Sequence, residues 1–225
     1  MTFDPHQSLV GTREGARLPL ALGAVLSVVL LATLLTTPEG KLNWLMETGP
    51  ALAGVVALAV TYRRFPMSSL VYVGVFVHAL ILAYGGFYTY AKAPLGEWMR
   101  SAFGFSRNNY DKLGHFAFGF FPLFTLREVL LRVTPLKKGG WLTFLLIHTI
   151  LGWAALYELI EWWTAVLMDP AGGDKFLGTQ GYVWDAQSDM LWAGLGACVA
   201  LFGFGWLHDR SMKKLFEAKG ALTAP

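Results

Sequence analysis

Six stretches of mostly apolar residues divide this chain, each close to the ~20 residues that a helix rising about 1.5 Å per residue needs to cross a bilayer. They run approximately over 18–35, 43–62, 69–90, 113–131, 141–167 and 185–207. Hydrophobic residues fill 55% of the 225 positions and charged residues only 15%, a balance that excludes a soluble domain of this length. The expected fold is therefore all-α: a polytopic membrane helix bundle of about six transmembrane helices. Neither a repeat nor a low-complexity tract breaks the pattern, so residues 1–225 read as a single integral membrane domain.

Between the third and fourth stretches lies a connector over 91–112 whose Pro94, Gly96, Gly104 and Asn108-Asn109 argue against one long helix. It leaves room for a short interfacial helix around 97–103. The first apolar stretch follows basic residues, as a signal peptide does, but it is longer than the usual hydrophobic region of a signal and no A-x-A site closes it; it is expected to be a span. Cys198 is the one cysteine, which excludes an intrachain disulfide and a thiolate metal site.

Lys and Arg positions set the expected orientation. Twelve of the eighteen basic residues fall at the N-terminus, the Arg63-Arg64 turn, the stretch from Arg127 to Lys138, and the tail from Arg210 to Lys219. Acidic residues divide the other way, so one side carries a formal +7 and the other −4, consistent with the net +3. Both termini are expected in the cytoplasm. The basic excess follows from this bias, and no nucleic-acid partner is implied. Trp44, Trp98, Trp141, Trp184 and Trp206 lie near span ends, as an interfacial aromatic belt would.

Three spans carry ionisable pairs at one-turn spacing: Asp111 and His115 in DKLGHF, Glu158 and Glu161 in YELIEW, and Asp185 and Asp189 in WDAQSDM. Spacings of three or four residues place each pair on one side of its helix. The topology brings all three to the same, outer leaflet. Ionisable groups inside spans are costly and usually face a bundle interior, so a functional reading is the default. Crowded carboxylates are relieved by a divalent cation, and a hard oxygen set with one nitrogen suits Zn, Mn, Fe or Mg rather than copper or a structural zinc. Asp111, His115, Glu158 and Asp189 are the expected metal ligands, with Glu161 or Asp185 as general base. Such a site would serve a metal-dependent hydrolase or transferase acting on a lipid-like or envelope substrate among the membrane lipids.

Other readings stand beside this one. The carboxylates could be ordinary interfacial salt bridges to Arg107, Lys112 or Lys175, or complements to helix N-termini. They could also bind protons or cations in a coupled transporter, or form a structural polar cluster in a scaffold. His78 and His148 read as packing residues, and Arg127-Glu128 as a structural ion pair. The segment 169–184 has four glycines in sixteen residues and reads either as a cover for the site or as a plain connector, with Asp174 and Gln180, and Gln187 just beyond it, as the polar residues of interest.

DKLGHFAFGFFPLFTLRE, YELIEWW and FLGTQGYVWDAQSDM, in that order, resemble the uncharacterised bacterial inner-membrane family typified by YjdF, over roughly residues 88–197. The resemblance implies a multi-pass protein of the bacterial inner membrane and carries over no activity. More distantly, the Asp-Lys-x-x-His-Phe start, the Glu-bearing helix and the late Asp-bearing helix are similar to the VanZ-like family, whose founding member is linked to glycopeptide-antibiotic resistance; that likeness hints at the cell envelope.

Overall fold

The computed structural model describes residues 9–167 and 179–220, and among these every regular element is helical. Helices α1 (Arg17–Thr36), α2 (Lys41–Thr61) and α3 (Ser69–Tyr88) precede a 3-10 turn (Tyr90–Lys92) and a short helix α4 (Pro94–Phe103). Then come α5 (Tyr110–Val133), α6 (Gly140–Leu167), α7 (Asp185–Cys198), a π-helical turn (Val199–Gly203) and α8 (Phe204–Gly220). The connector thus contains a short helix, which starts three residues before the expected 97–103. It exposes Trp98 and Phe103 beside Phe105 as an apolar patch.

Helices α1, α2, α3 and α6, and the continuous stretch Asp185–Ala218, are long and apolar enough to cross a membrane. The remaining expected span falls on α5, which has the length, at 24 residues, but not the hydropathy. Asp111, Lys112, His115, Arg127, Glu128 and Arg132 dilute it, and it packs among α3, α6 and α7 instead of facing lipid. Four of those six side chains are buried. The last span also differs from its expected end near 207. The π turn inserts an extra residue and resets the helix face, so that His208, Met212 and Phe216 of α8 all point into the protein.

The bundle core lies where α5, α6 and α7 meet, around Leu123, Leu146, Ile150, Ala154, Ala193 and Ala197. Lipid tails are as apolar as leucine, so helices associate through close packing and interhelical hydrogen bonds rather than by escape from water. Small residues make that packing here. Gly119 of α5 lies against the Ala193 carbonyl of α7, and Gly196 of α7 against the Phe116 carbonyl of α5, so closely that neither position has room for a Cβ.

At the basic end, α3, α5 and α8 are joined by a buried polar network. Glu128 accepts from Arg132 (2.8 Å) and the Ser68 amide (3.0 Å), and lies 3.2 Å from His208. Arg127 donates to Asp209 (2.7 Å) and contacts His208 (2.9 Å), and Lys138 also reaches Asp209. Arg127 and Glu128 therefore form no pair with each other, contrary to the sequence reading. Consecutive helical residues point about 100° apart and cannot face one another.

Trp44 corrects the belt. It is buried, with Nε1 donating to Thr33 Oγ1 (3.1 Å), whereas Trp98, Trp141, Trp184 and Trp206 are exposed. His148 is also exposed on α6, its Nδ1 2.8 Å from the Phe144 carbonyl, while His78 is buried between Phe118 and Phe121.

Candidate functional site

The tight crossing of α5 and α7 sets the register of the site. One helical turn before Gly119 stands His115, and one turn before Ala193 stands Asp189. With the two backbones in contact at Gly119 and Ala193, the side chains one turn nearer the helix starts converge. Asp111, a turn earlier on α5, joins them, and ligand atoms of Asp111, His115 and Asp189 all lie within 4.8 Å of one another. Helix α6 brings Glu158 alongside: His115 Nε2 lies 3.5 Å from Asp111 Oδ1 and 3.6 Å from Glu158 Oε1. Of the four expected ligands, Asp111, His115 and Asp189 form the close group, and Glu158 adjoins it through His115.

Two acceptors in this group lie beyond hydrogen-bond reach of any donor among the described residues. Glu158 Oε1 and Asp189 Oδ1 are buried and have no hydrogen-bond partner there, the nearest imidazole nitrogen lying 3.6 Å from Glu158 Oε1. Asp189 is only 2% exposed. A buried carboxylate oxygen without a donor carries the full cost of its lost hydration.

A small cavity of about 20 Å³ adjoins the group, with Glu47, Tyr90, Asp111, His115, Tyr157 and Glu161 in its wall. That is room for one water-sized occupant, at ~10–15 Å³ each. Glu161 thus belongs to the site but not to the triad of close ligand atoms. Glu47, from α2, is 4% exposed and is the residue that sequence reading passed over. The available clue was its charge inside an apolar stretch, with Pro50 three residues on. Pro50 has no amide to return to the Met46 carbonyl, so α2 is weakened beside Glu47. Tyr90 is seated by glycines: a Cβ at Gly85 or Gly114 would strike its ring.

Asp185 is placed differently. It forms an ion pair with Arg107, which also donates to the Thr179 carbonyl (2.8 Å) and lies over the Tyr182 ring at 4.6 Å. Lys112 donates to Ser188 (2.7 Å) rather than to a carboxylate. Asn108 holds this corner together. Its side chain accepts from the Tyr110 amide (3.0 Å), donates to the Ala93 carbonyl (3.0 Å) and fills the space that Gly96 leaves. Its backbone exchanges two hydrogen bonds with the Gln180 side chain, at 3.1 and 2.8 Å. Gln180, at φ 51°, therefore tethers the segment before α7 to the start of α5. Asp174 and most of the glycine-rich segment, 168–178, lie outside the described residues.

The charge balance defines what the cluster can do. With Asp185 answered by Arg107, the carboxylates of Glu47, Asp111, Glu158, Glu161 and Asp189 surround the imidazole of His115. Protons or a cation must offset the excess negative charge.

Fold and cluster define a class: a multi-pass helical membrane protein that keeps carboxylates and an imidazole inside its bundle. The family model described as "Predicted membrane protein (DUF2238)" matches residues 18–210, and the chain belongs to that family. It is similar to Inner membrane protein YjdF of Escherichia coli (strain K12), 43% identical over 189 residues that cover 84% of this chain and 90% of YjdF. No solved structure matches. The family match spans every residue of the cluster, and the apolar helices and this relative together give a multi-pass inner-membrane protein.

Proposed function

We propose that the cluster holds a divalent metal ion and serves a hydrolase or transferase acting on a lipid-like or cell-envelope substrate. One observation carries the reading: two buried acceptors, Glu158 Oε1 and Asp189 Oδ1, have no hydrogen-bond donor among the described residues, beside a set of ligand atoms within 4.8 Å of one another. Protonation alone would relieve the charge, but it would leave the convergence of His115 with Asp111, Asp189 and Glu158 unexplained. Asp111, His115, Glu158 and Asp189 would hold the ion, which supplies Lewis-acid polarisation of a carbonyl or phosphoryl oxygen. Oxygen donors with one imidazole suit Zn, Mn, Fe or Mg.

The surrounding residues then have separate tasks. Glu161, in the wall of the adjoining cavity, is placed to accept a proton as general base. Glu47 shares that wall and can take the proton on. Asp185 is a positioning residue, because its pair with Arg107 anchors the start of α7 and hence Asp189 one turn later. By the distribution of basic residues the site faces the outer leaflet.

Elemental mass spectrometry of detergent-purified protein tests the reading. About one equivalent of a divalent metal is expected, lost in His115→Ala and Asp189→Asn and retained in His148→Ala, where the imidazole is remote from the site. Metal content at background, with no gain on adding Zn, Mn, Fe or Mg, would overturn it. A reporter fused to the C-terminus checks the orientation, with cytoplasmic placement expected.

A proton- or cation-coupled transporter is the second reading. It is favoured by the buried His78 Nε2 and by Thr125 Oγ1, on α5 between the two polar ends, neither of which has a hydrogen-bond partner among the described residues. Flux in proteoliposomes under an imposed proton or cation gradient, abolished by His78→Phe, would establish it.

A further inference from the structure

A second place in the molecule is built for a ligand, away from the carboxylates and at the basic end. Helix α1 packs on α3 and buries only Leu26 and Leu30 along its length. Between α1, α2 and α3 it leaves an apolar crevice of about 530 Å³, walled by Leu22, Gly23, Ser27, Leu58, Val75 and Phe76 among others. A neighbouring cavity of about 470 Å³ continues it toward the start of α3 and the end of α8. Pro19, Tyr62 and Tyr72 line both, so the two adjoin. Each lies within the ~300–1,000 Å³ of ordinary ligand pockets.

The two cavities differ in character. The first is walled almost wholly by aliphatic and aromatic side chains. The second carries Glu14, Ser69 and Lys214 at its rim, all three exposed. Neither Glu14 nor Lys214 forms an ion pair with another described residue, although Lys213 next door pairs with Glu217. The rim therefore offers one cation, one anion and a hydroxyl. An apolar slot that opens onto such a rim matches a molecule with an acyl chain and a zwitterionic head.

We propose that these adjoining cavities together hold one glycerophospholipid with a phosphoethanolamine headgroup. One acyl chain lies in the crevice between α1 and α2. Lys214 and Ser69 meet the phosphate, and Glu14 meets the ammonium. An anionic headgroup lacks the ammonium and would be opposed by Glu14. Lipid tails gain no hydrophobic energy by moving from the bilayer into the crevice, so selection comes from shape and from the charged rim. The lipid completes the contact that α1 and α2 do not make for themselves.

The test uses the full chain in nanodiscs of equimolar phosphatidylethanolamine and phosphatidylglycerol, transferred to mild detergent and examined by native mass spectrometry. One phosphatidylethanolamine per chain is expected to survive the transfer. Gly23→Phe should lower that occupancy by about tenfold or more, because no neighbour lies within 4 Å of a Cβ at Gly23 and the ring grows into the crevice. Glu14→Lys changes an exposed residue, leaves folding intact, and should move the preference to phosphatidylglycerol. Three results would each overturn the proposal: no lipid retained by the unaltered protein, equal retention of the two lipids, or a preference unmoved by Glu14→Lys. Metal content does not enter any of these readouts, so the outcome is independent of the carboxylate site.

Discussion

Gly119→Ala sets two opposing effects against each other in the middle of the bundle. In a helix interior alanine is favoured over glycine by about 0.5–1 kcal/mol, because glycine loses more backbone freedom on folding. Against this, the new methyl group would collide with the Ala193 carbonyl of α7, and the Ala193 Cα lies only 3.0 Å from the same Cβ. Backbone cannot rotate away as a side chain can, so α5 and α7 must part. Overpacking of this kind costs about 1–3 kcal/mol. The net destabilisation is then about 1–2 kcal/mol, or a fall in apparent Tm of about 2–8 °C for a chain of this size at 2–4 °C per kcal/mol. Gly152→Ala is the matched control, since a Cβ on α6 at that position meets nothing within 4 Å and brings only the helix-propensity gain. Tryptophan fluorescence during heating in detergent gives both values under identical conditions. The register argument adds a second readout: parting the helices separates His115 from Asp189, so metal retention should fall in Gly119→Ala even at temperatures where it is folded. Equal Tm and equal metal retention in the two variants would refute the claim that this contact sets the site.

Three further outcomes follow from named contacts. In metal-stripped protein, Asp189→Asn should raise the apparent Tm by a few degrees, since it removes one of several crowded buried charges at a cost of no hydrogen bond to Oδ1. The same variant should retain no metal, so stability and binding move in opposite directions. Glu128→Gln leaves Arg132 buried without its anion and should cost about 3–5 kcal/mol, read as a sharp loss of folded protein on heating or on purification. Arg107→Ala releases both Asp185 and the Thr179 carbonyl. Losing charge-assisted hydrogen bonds of about 1.5–3 kcal/mol should speed hydrogen exchange over 179–184 by roughly 10–150-fold, with the amides of α3 unchanged.

What the chain announces and what it conceals divide along physical lines. Apolar runs of about twenty residues are legible because the bilayer imposes their length. The paired ionisable residues are legible because helical spacing puts both members on one face, and the fold does gather Asp111, His115, Glu158 and Asp189. Glu47 is not legible by the same route, since a lone carboxylate has no partner at helical spacing to mark its direction. Asn108 reads as a turn former, yet it links α4, α5 and Gln180. Trp44 has the position of a belt residue but finds Thr33 as an acceptor, and so turns inward. Gly119 and Gly196 are visible as glycines in apolar runs, but nothing in a single sequence names the carbonyls they meet.

The two polar ends of the bundle bear on which buried charge is structural and which awaits a ligand. At the basic end, Glu128 has both oxygens engaged, by Arg132, His208 and the Ser68 amide, and Asp209 is shared by Arg127 and Lys138. Opposite charges there answer one another. At the carboxylate end the imbalance is all of one sign, and the orphaned atoms are acceptors on residues that already repel their neighbours. A helix bundle selected only for stability would gain by replacing Asp189 or Glu158 with a neutral residue of similar size. That Asp189 and His115 sit one turn from the close crossing of α5 and α7, held in register by two glycines that admit no side chain, with Glu158 of α6 beside them, is the physical argument for a bound ion rather than a merely tolerated polar cluster.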